Sequence, residues 1–435
     1  MRFFDLSLLL NGYDINRARQ ELKRIQNLDD QSRKVHLEKS RKAIVDYHVK
    51  HNPFYKNHII SSNTSVWTSI PVMTKSHLQK PLEQRLSNTY KRRKTYVNKT
   101  SGSSGDPFIF AKDKWCHAMT WAQIMDRFQW YGIDFNYSKQ ARFYGIPLNL
   151  IGNKKERIKD WLAHRYRFSV FDLSDKAFEQ VLKRMKSTPF DYINGYTSPI
   201  IQFGKFLDKK GIILKDICPS LKVCVVTSEM LFKEDRKLLE RCLGVPIVNE
   251  YGASELDLIA FENTKGEWLL NNDTLYVEIL DDNDQVLPNG EEGRIVITSL
   301  LNKAHPFIRY DIGDIGVMDE ASNPSKPILK TLVGRSNDLI ILPSGRTAAG
   351  LTFYYITKSV IEESGNVKEF VIEQTALSKF IIYYVADTDI GVEHKKLIRS
   401  EIIKYLEPGL EIQLVRKPFL KRSKSGKLKQ FTSTI

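Results

Sequence analysis

The chain is short of cysteine. Cys116, Cys218, Cys224 and Cys242 are its only four in 435 residues, and no two stand at CxxC spacing. This argues against a disulfide-stapled domain and offers no zinc-finger pattern; four scattered thiols point to a reducing compartment, the cytoplasm. No apolar run approaches the ~20 residues needed to span a bilayer. The opening MRFFDLSLLLNGYD interrupts its apolar residues with Asp5 and shows no small-residue cleavage site, so no signal peptide is read. A P-loop ending in Gly-Lys-Ser/Thr, an RNA-binding signature, internal repeats and low-complexity tracts are all missing.

What is present is length and positive charge. The size allows a large core and more than one domain. A formal net charge of +15 favours anionic partners such as nucleotides, coenzyme A or acidic carrier proteins. The densest basic runs, Lys91-Arg92-Arg93-Lys94 and the stretch from Lys417 to Lys429, read first as solvated faces. Without an accompanying motif they imply no specific nucleic acid; membrane-surface binding stays open.

Residues 100–107, TSGSSGDP, form the most informative stretch. Thr100, Ser101, Ser103 and Ser104 surround Gly102 and Gly105. Glycines let backbone N–H groups approach an anion, and hydroxyls add donors, so the loop can wrap phosphates or be a plain surface turn. Any lysine serving it must come from elsewhere. PFIFAK reads as a strand beyond it, which places the loop in a hairpin.

The first 60 residues carry helical spacing, broken at Pro53. Residues 115–131, with Trp115, Trp121, Phe128 and Trp130, read as a core helix. LKVCVV, LFKEDRKLLERCLG and PIVNEYG read as strand, helix and strand, a parallel unit. TLYVEILDD and GRIVITSL are alternating strands. Beyond a boundary near Gly334, EFVIEQ, KFIIYYVAD, a helix stopped by Gly409 and EIQLVRK make a β-β-α-β unit.

Four further segments carry polar chemistry. Asn249-Glu250-Tyr251-Gly252-Ala253-Ser254-Glu255 follows a strand of the parallel unit, where such sheets bind ligands. Arg309-Tyr310-Asp311-Ile312-Gly313-Asp314 is a sugar-binding carboxylate site or a charged turn with Asp314 exposed. Gly334-Arg335-Ser336-Asn337-Asp338 reads as a hinge. Lys424-Ser425-Gly426-Lys427 is a basic tail or a functional loop.

In this order the five segments resemble the adenylate-forming superfamily, and most closely its branch of phenylacetate–CoA ligases and capsular polysaccharide biosynthesis ligases. HNPFYKNH and IPVMTKSHL are similar to that branch's N-terminal segments. The resemblance implies an α/β fold: a large N-terminal domain, residues 1–333, with mixed sheets and flanking helices, and a small mobile α+β domain, residues 334–435. It implies ATP-dependent adenylation of a carboxylic acid, then transfer to coenzyme A, with an acyl carrier protein or the amine of an amino sugar as other acceptors. A homodimer is admitted.

The resemblance also implies roles. Thr100, Ser101, Gly102, Ser103, Ser104 and Gly105 would hold the ATP β- and γ-phosphates. Thr227, Ser228 and Glu229 would line the adenine and acyl pockets, Asn249 and Gly252 would belong to the nucleotide-binding set, Tyr251 would stack near adenine and Ser254 touch the α-phosphate. Glu255 would hold Mg2+, Asp314 the ribose, and Arg335 the nucleotide near the hinge. Lys427 would be the catalytic lysine. Tyr144, Tyr192 and Tyr196 are candidate acyl-pocket walls. Three positions depart from the family pattern: Phe108 for a lysine, Lys421 for a proline and Asn337 for the hinge aspartate. A catalytically silent nucleotide-binding relative is the contrasting reading.

Overall fold

The computed structural model describes residues 3–60, 62–100, 108–145, 160, 163–335, 339–345, 347–349, 361, 367–422 and 428–435. The chain forms two compact units. One comprises Met1–Ile312 and Val317–Thr331, the other Gly313–Gly316 and Leu332–Ile435.

The larger unit begins with helices α1 (Phe3–Leu10), α2 (Ile15–Gln26), α3 (Asp30–His51) and α4 (Pro53–His58). Asp14, Asp29 and Asn52 cap the last three, accepting from the N–H groups of Arg17, Ser32 and Tyr55 at 3.1, 2.7 and 2.8 Å. Each cap satisfies a donor that the first helical turn leaves open. Pro53 breaks the helical pattern as expected: α3 ends at His51, and Pro53 starts the separate helix α4. A proline at the first helical position gives up only an N–H that has no helical partner.

After a single turn, α5 (Leu82–Arg85), the chain enters an antiparallel hairpin of β1 (Tyr96–Lys99) and β2 (Ile109–Lys112). Helix α6 (Lys114–Gln129) follows, capped by Asp113. Its Ala118, Met119, Ala122 and Met125 pack on Ile15, Ala18, Leu22 and Ile25 of α2.

The core of this unit is a seven-stranded sheet. Its strands are β3 (Gln140–Phe143), β4 (Arg165–Phe168), β5 (Tyr192–Tyr196), β6 (Val223–Thr227), β7 (Ile247–Ala253), β8 (Asp257–Glu262) and β9 (Trp268–Leu270), in the order β4-β3-β5-β6-β7-β8-β9. The first five in that order are parallel, and β8 and β9 run antiparallel. Strand alternation sorts the two faces. Ala141, Phe143, Ile193, Cys224, Val226 and Ile247 meet helices α7 (Asp175–Ser187), α8 (Thr197–Lys209) and, past the short α9 (Leu214–Ile217), α10 (Lys233–Leu243). Tyr192, Val223, Val225 and Val248 face Phe128 of α6. Gly244 ends α10 at φ +66°, a left-handed conformation that glycine adopts without strain.

A second sheet orders β10 (Leu275–Leu280), β11 (Glu292–Ser299), β12 (Tyr310–Met318) and β13 (Leu329–Arg335) in sequence. Arg309, fully buried, anchors the start of β12 by donating to the carbonyls of Thr68, Ile70 and Asp284 at 3.1, 2.6 and 3.0 Å. Met73, from the IPVMTK segment, bridges Tyr310 in parallel.

The smaller unit holds a hairpin, β14 (Leu339–Ile341) and β15 (Thr347–Ala349), and a four-stranded sheet. That sheet consists of β16 (Val367–Ala376), β17 (Lys379–Ala386), β18 (Glu411–Arg416) and β19 (Phe431–Ser433), ordered β18-β17-β16-β19. Helix α11 (Val392–Tyr405) buries Ile398 and Ile402, and Leu406 is buried at its end. It stops at Tyr405, and Gly409, at φ +86°, lies in the turn before β18. All four cysteines are buried free thiols. Among the described residues no helix is long and apolar enough to cross a membrane.

Candidate active site at the carboxyl ends of the parallel strands

Parallel register brings separate sequence segments to one edge of the large sheet. Phe143 pairs with Gly195, Tyr196 with Thr227, and Thr227 with Glu250. Tyr144, Thr197, Ser228 and Tyr251 therefore emerge side by side at the carboxyl ends of β3, β5, β6 and β7. Open parallel sheets bind ligands in that position.

Ser228 is exposed and left-handed, at φ +70°, so the chain turns sharply out of β6. The Glu229 carboxylate accepts from the Ser198 N–H at 2.6 Å, and its carbonyl accepts from the Thr197 hydroxyl at 3.0 Å, which ties this turn to the first turn of α8. Asn249 to Gly252, expected within the strand PIVNEYG, are strand, which runs on to Ala253 with β8 continuing the ladder beside it. Tyr251 is buried, with its ring edge to face against Trp268 at 6.1 Å. Gly252 has no room for a side chain: a Cβ there would meet the Asp257 carbonyl oxygen at 2.6 Å. Ser254 is exposed. Glu255 is buried and accepts from the Tyr310 hydroxyl at 3.0 Å.

The base of the glycine-rich hairpin is closed by Thr100, whose N–H donates to the Phe108 carbonyl at 3.0 Å and whose hydroxyl accepts from the Phe108 N–H at 3.1 Å. Ser101, Gly102, Ser103, Ser104 and Gly105 lie outside the described residues, as do Asn337, Asp338 and Lys427. Phe108, where a lysine is usual, is buried beside Phe110 and Phe307. In the other unit, Asp314 is buried within β12 rather than exposed on a turn. Arg335 is the last residue of β13.

Three side chains at this edge were given no role by the sequence reading, although Glu250 lay in a segment it singled out. Lys112 of β2 forms an ion pair with Asp257, joining the hairpin to the start of β8. Arg142 lies over the Tyr144 ring, 4.3 Å from its centroid. Glu250 is pushed up to about 7 by burial, with Asp257 adding to the rise, against a Thr227 hydrogen bond and the Arg142 charge. All three sit in short strands whose pairing depends on distant segments; the alternation of RFYG and NEYG could have flagged Arg142 and Glu250, and no such signal marks Lys112 in PFIFAK. Helix α6, read as a core helix, is core on two faces.

Among the described residues no group of three or more His, Cys, Asp or Glu could hold a metal. Glu255 fits a different arrangement, in which Mg2+ takes one protein carboxylate and fills its shell from substrate phosphates and water.

No protein-family model matches the chain. A phenylacetate-coenzyme A ligase from Pseudomonas putida is 28% identical over 186 residues, covering 41% of this chain and 42% of that protein. One from Aromatoleum evansii is 32% identical over 128 residues, covering 28% and 29%. The chain thus matches less than half the length of these relatives. In structure, 2-hydroxyisobutyryl-CoA ligase in its postadenylation state superposes with a TM-score of 0.71 at 16% identity, covering 94% of this chain and 91% of that one. The amide bond synthetase McbA from Marinactinospora thermotolerans gives a TM-score of 0.53 at 16% identity, covering 77% and 67%. The α/β fold with its smaller C-terminal unit is that of adenylate-forming ligases.

Proposed function

We propose that this chain, a relative of phenylacetate–CoA ligases with the adenylate-forming fold, activates a carboxylic acid with ATP and passes the acyl group to coenzyme A. The supporting observation is convergence: Thr227–Glu229 and Tyr251–Glu255, far apart in sequence, leave adjacent strand ends in a chain whose sequence relatives are CoA ligases.

In the first step a carboxylate oxygen attacks the α-phosphorus and pyrophosphate leaves. Both reactants are anions, so charge compensation dominates the barrier. In this reading Tyr251 flanks the adenine and Ser254 approaches the α-phosphate. Glu255, held by Tyr310, would hold Mg2+, which would supply positive charge against the phosphates. The 100–105 loop covers the β- and γ-phosphates, and Asp314 takes the ribose hydroxyls. Lys427 bridges the carboxylate and the α-phosphate. In the second step the coenzyme A sulfur attacks the acyl carbon, and AMP leaves with the bonding pair. Residues 334–435 act as the small domain carrying Lys427, with Arg335 near the hinge, and rotation of that domain removes the lysine between the two steps.

The test is product analysis. With MgATP, coenzyme A and a panel of acids, the protein should release AMP and pyrophosphate in an acid-dependent way and form a thioester. Acid-independent release of ADP and phosphate would contradict the reading.

A further inference from the structure

On the α6 face of the large sheet, an apolar floor gives way to a polar tier. Tyr192, Val223, Val225 and Val248 form the floor. Arg142 and Asn194 share the register row of Val225 and Val248, and one step nearer the carboxyl ends stand Thr227 and Glu250, with Tyr144 just past the end of β3. Asn194 Oδ1 accepts from Gln140 Nε2 at 3.2 Å and from the Tyr144 hydroxyl at 3.3 Å, and its amide donates to the Val225 carbonyl at 3.2 Å. The Tyr144 and Tyr196 rings lie 4.6 Å apart. This cluster adjoins Ser228 and Tyr251 and belongs to none of the nucleotide roles above.

Its charge is unbalanced. Arg142 stands directly opposite Arg167 in the β3–β4 register. Arg165 and Arg167 both pair with Asp160, at 2.6 and 2.9 Å. The buried Nε of Arg142 has no hydrogen-bond partner among the described residues. A buried donor left unmade is costly, and ordinary cores avoid it. A phenyl or alkyl group set against this tier would leave the Arg142 Nε donor unsatisfied and offer nothing to Glu250 beyond its Thr227 hydrogen bond. An oxygen atom on the ligand would satisfy them.

We propose that the acyl site selects an acid with a second oxygen-bearing group, a hydroxyl, oxo or carboxylate function remote from the reacting carboxylate, which Arg142 and Glu250 bind. This rests on the adenylation reading and names its substrate class. Sites built to hydrogen-bond a substrate reject analogues lacking that group far more strongly than apolar pockets reject a size change.

The experiment compares matched acids: phenylacetate and straight-chain monoacids against their hydroxy, oxo and dicarboxylic counterparts. Acid-dependent AMP formation and direct binding by ligand-observed NMR are both measured, for the wild type, Arg142→Met, Arg142→Lys and Glu250→Gln. The hydroxy and oxo arms against the dicarboxylic arm show which oxygen function is read. The proposal expects oxygenated acids to exceed their apolar counterparts by roughly a hundredfold or more in kcat/KM. Arg142→Met should erase that preference with KM for ATP unchanged, and Arg142→Lys should restore part of it. A wild type that prefers phenylacetate or alkyl acids, with Arg142→Met leaving the preference intact, overturns the proposal. Arg142-dependent binding of oxygenated acids without AMP formation overturns the adenylation reading and upholds the polar site. Neither binding nor turnover of any oxygenated acid overturns both.

Discussion

The Tyr310 hydroxyl donates to Glu255 Oε1 at 3.0 Å, across 55 residues of sequence. It does so from a strand start fixed by the buried Arg309 side chain and bridged to Met73. The carboxylate proposed to carry Mg2+ is therefore oriented by the second sheet. Glu255→Ala should lower acid-dependent AMP formation by about 10²–10³-fold. Tyr310→Phe should cost about tenfold, the worth of one hydrogen bond to a charged group, and raise the Mg2+ concentration needed for half-maximal rate. A Mg2+ titration of both variants checks this. Equal Mg2+ dependence in Tyr310→Phe and wild type would contradict it.

Gly195 allows β5 to lie against β3. A Cβ at this position would collide with the Phe143 carbonyl oxygen and side chain. Gly195→Ala should lose about 1–3 kcal/mol in urea unfolding, the usual cost of overpacking. Gly252→Ala, facing the Asp257 carbonyl, should fall in the same range and disturb nucleotide binding as well. Unchanged unfolding midpoints would contradict the close approach.

Stability should carry a signature of Glu250. Its carboxyl is raised from 4.5 to about 7, because burial outweighs the Thr227 hydrogen bond and the Arg142 charge, with Asp257 acting in the same direction as burial. Tyr144 faces the same carboxyl. The unfolded chain therefore ionises first as pH rises. This group's contribution falls between about pH 4.5 and about pH 7 and is level above. Glu250→Gln should gain on the wild type in urea midpoint across that window. A difference independent of pH would contradict the assignment.

Much of this architecture was legible in the sequence. The short apolar run of LKVCVV, the helical face of 233–243 and Gly244 after it are local signals, and the structure forms the buried β6, α10 and a left-handed cap from them. The β16–β17 hairpin and α11 follow from equally local patterns. Pro53 correctly marked the break after α3, while the new helix it starts depends on the Asn52 cap. Asn249 and Glu250 fall in the strand that PIVNEYG signalled, with β8 supplying the ladder beside them. Arg165 and Arg167 obscured β4, since their partner Asp160 lies outside the strand. For the site, motif order suggested roles. The polar tier of Arg142 and Glu250 arises only from register between strands far apart in sequence.

Lys427, which lies outside the described residues, carries the strongest catalytic prediction. Lys427→Ala should lower adenylation by at least about 10²–10³-fold while ATP still binds, because one positive charge between two anions is lost. Titration calorimetry with ATP beside a rate assay separates the two effects. Loss of ATP binding in parallel with activity would assign Lys427 to binding instead.

The central claim is acid activation by adenylation, and its most direct test is acid-dependent exchange of labelled pyrophosphate into ATP without coenzyme A. The account predicts exchange with an oxygenated acid in the wild type and its loss in Lys427→Ala. Tight ATP binding with no exchange across aryl, fatty, amino, hydroxy and dicarboxylic acids would contradict it and leave a nucleotide-binding protein that does not perform this chemistry.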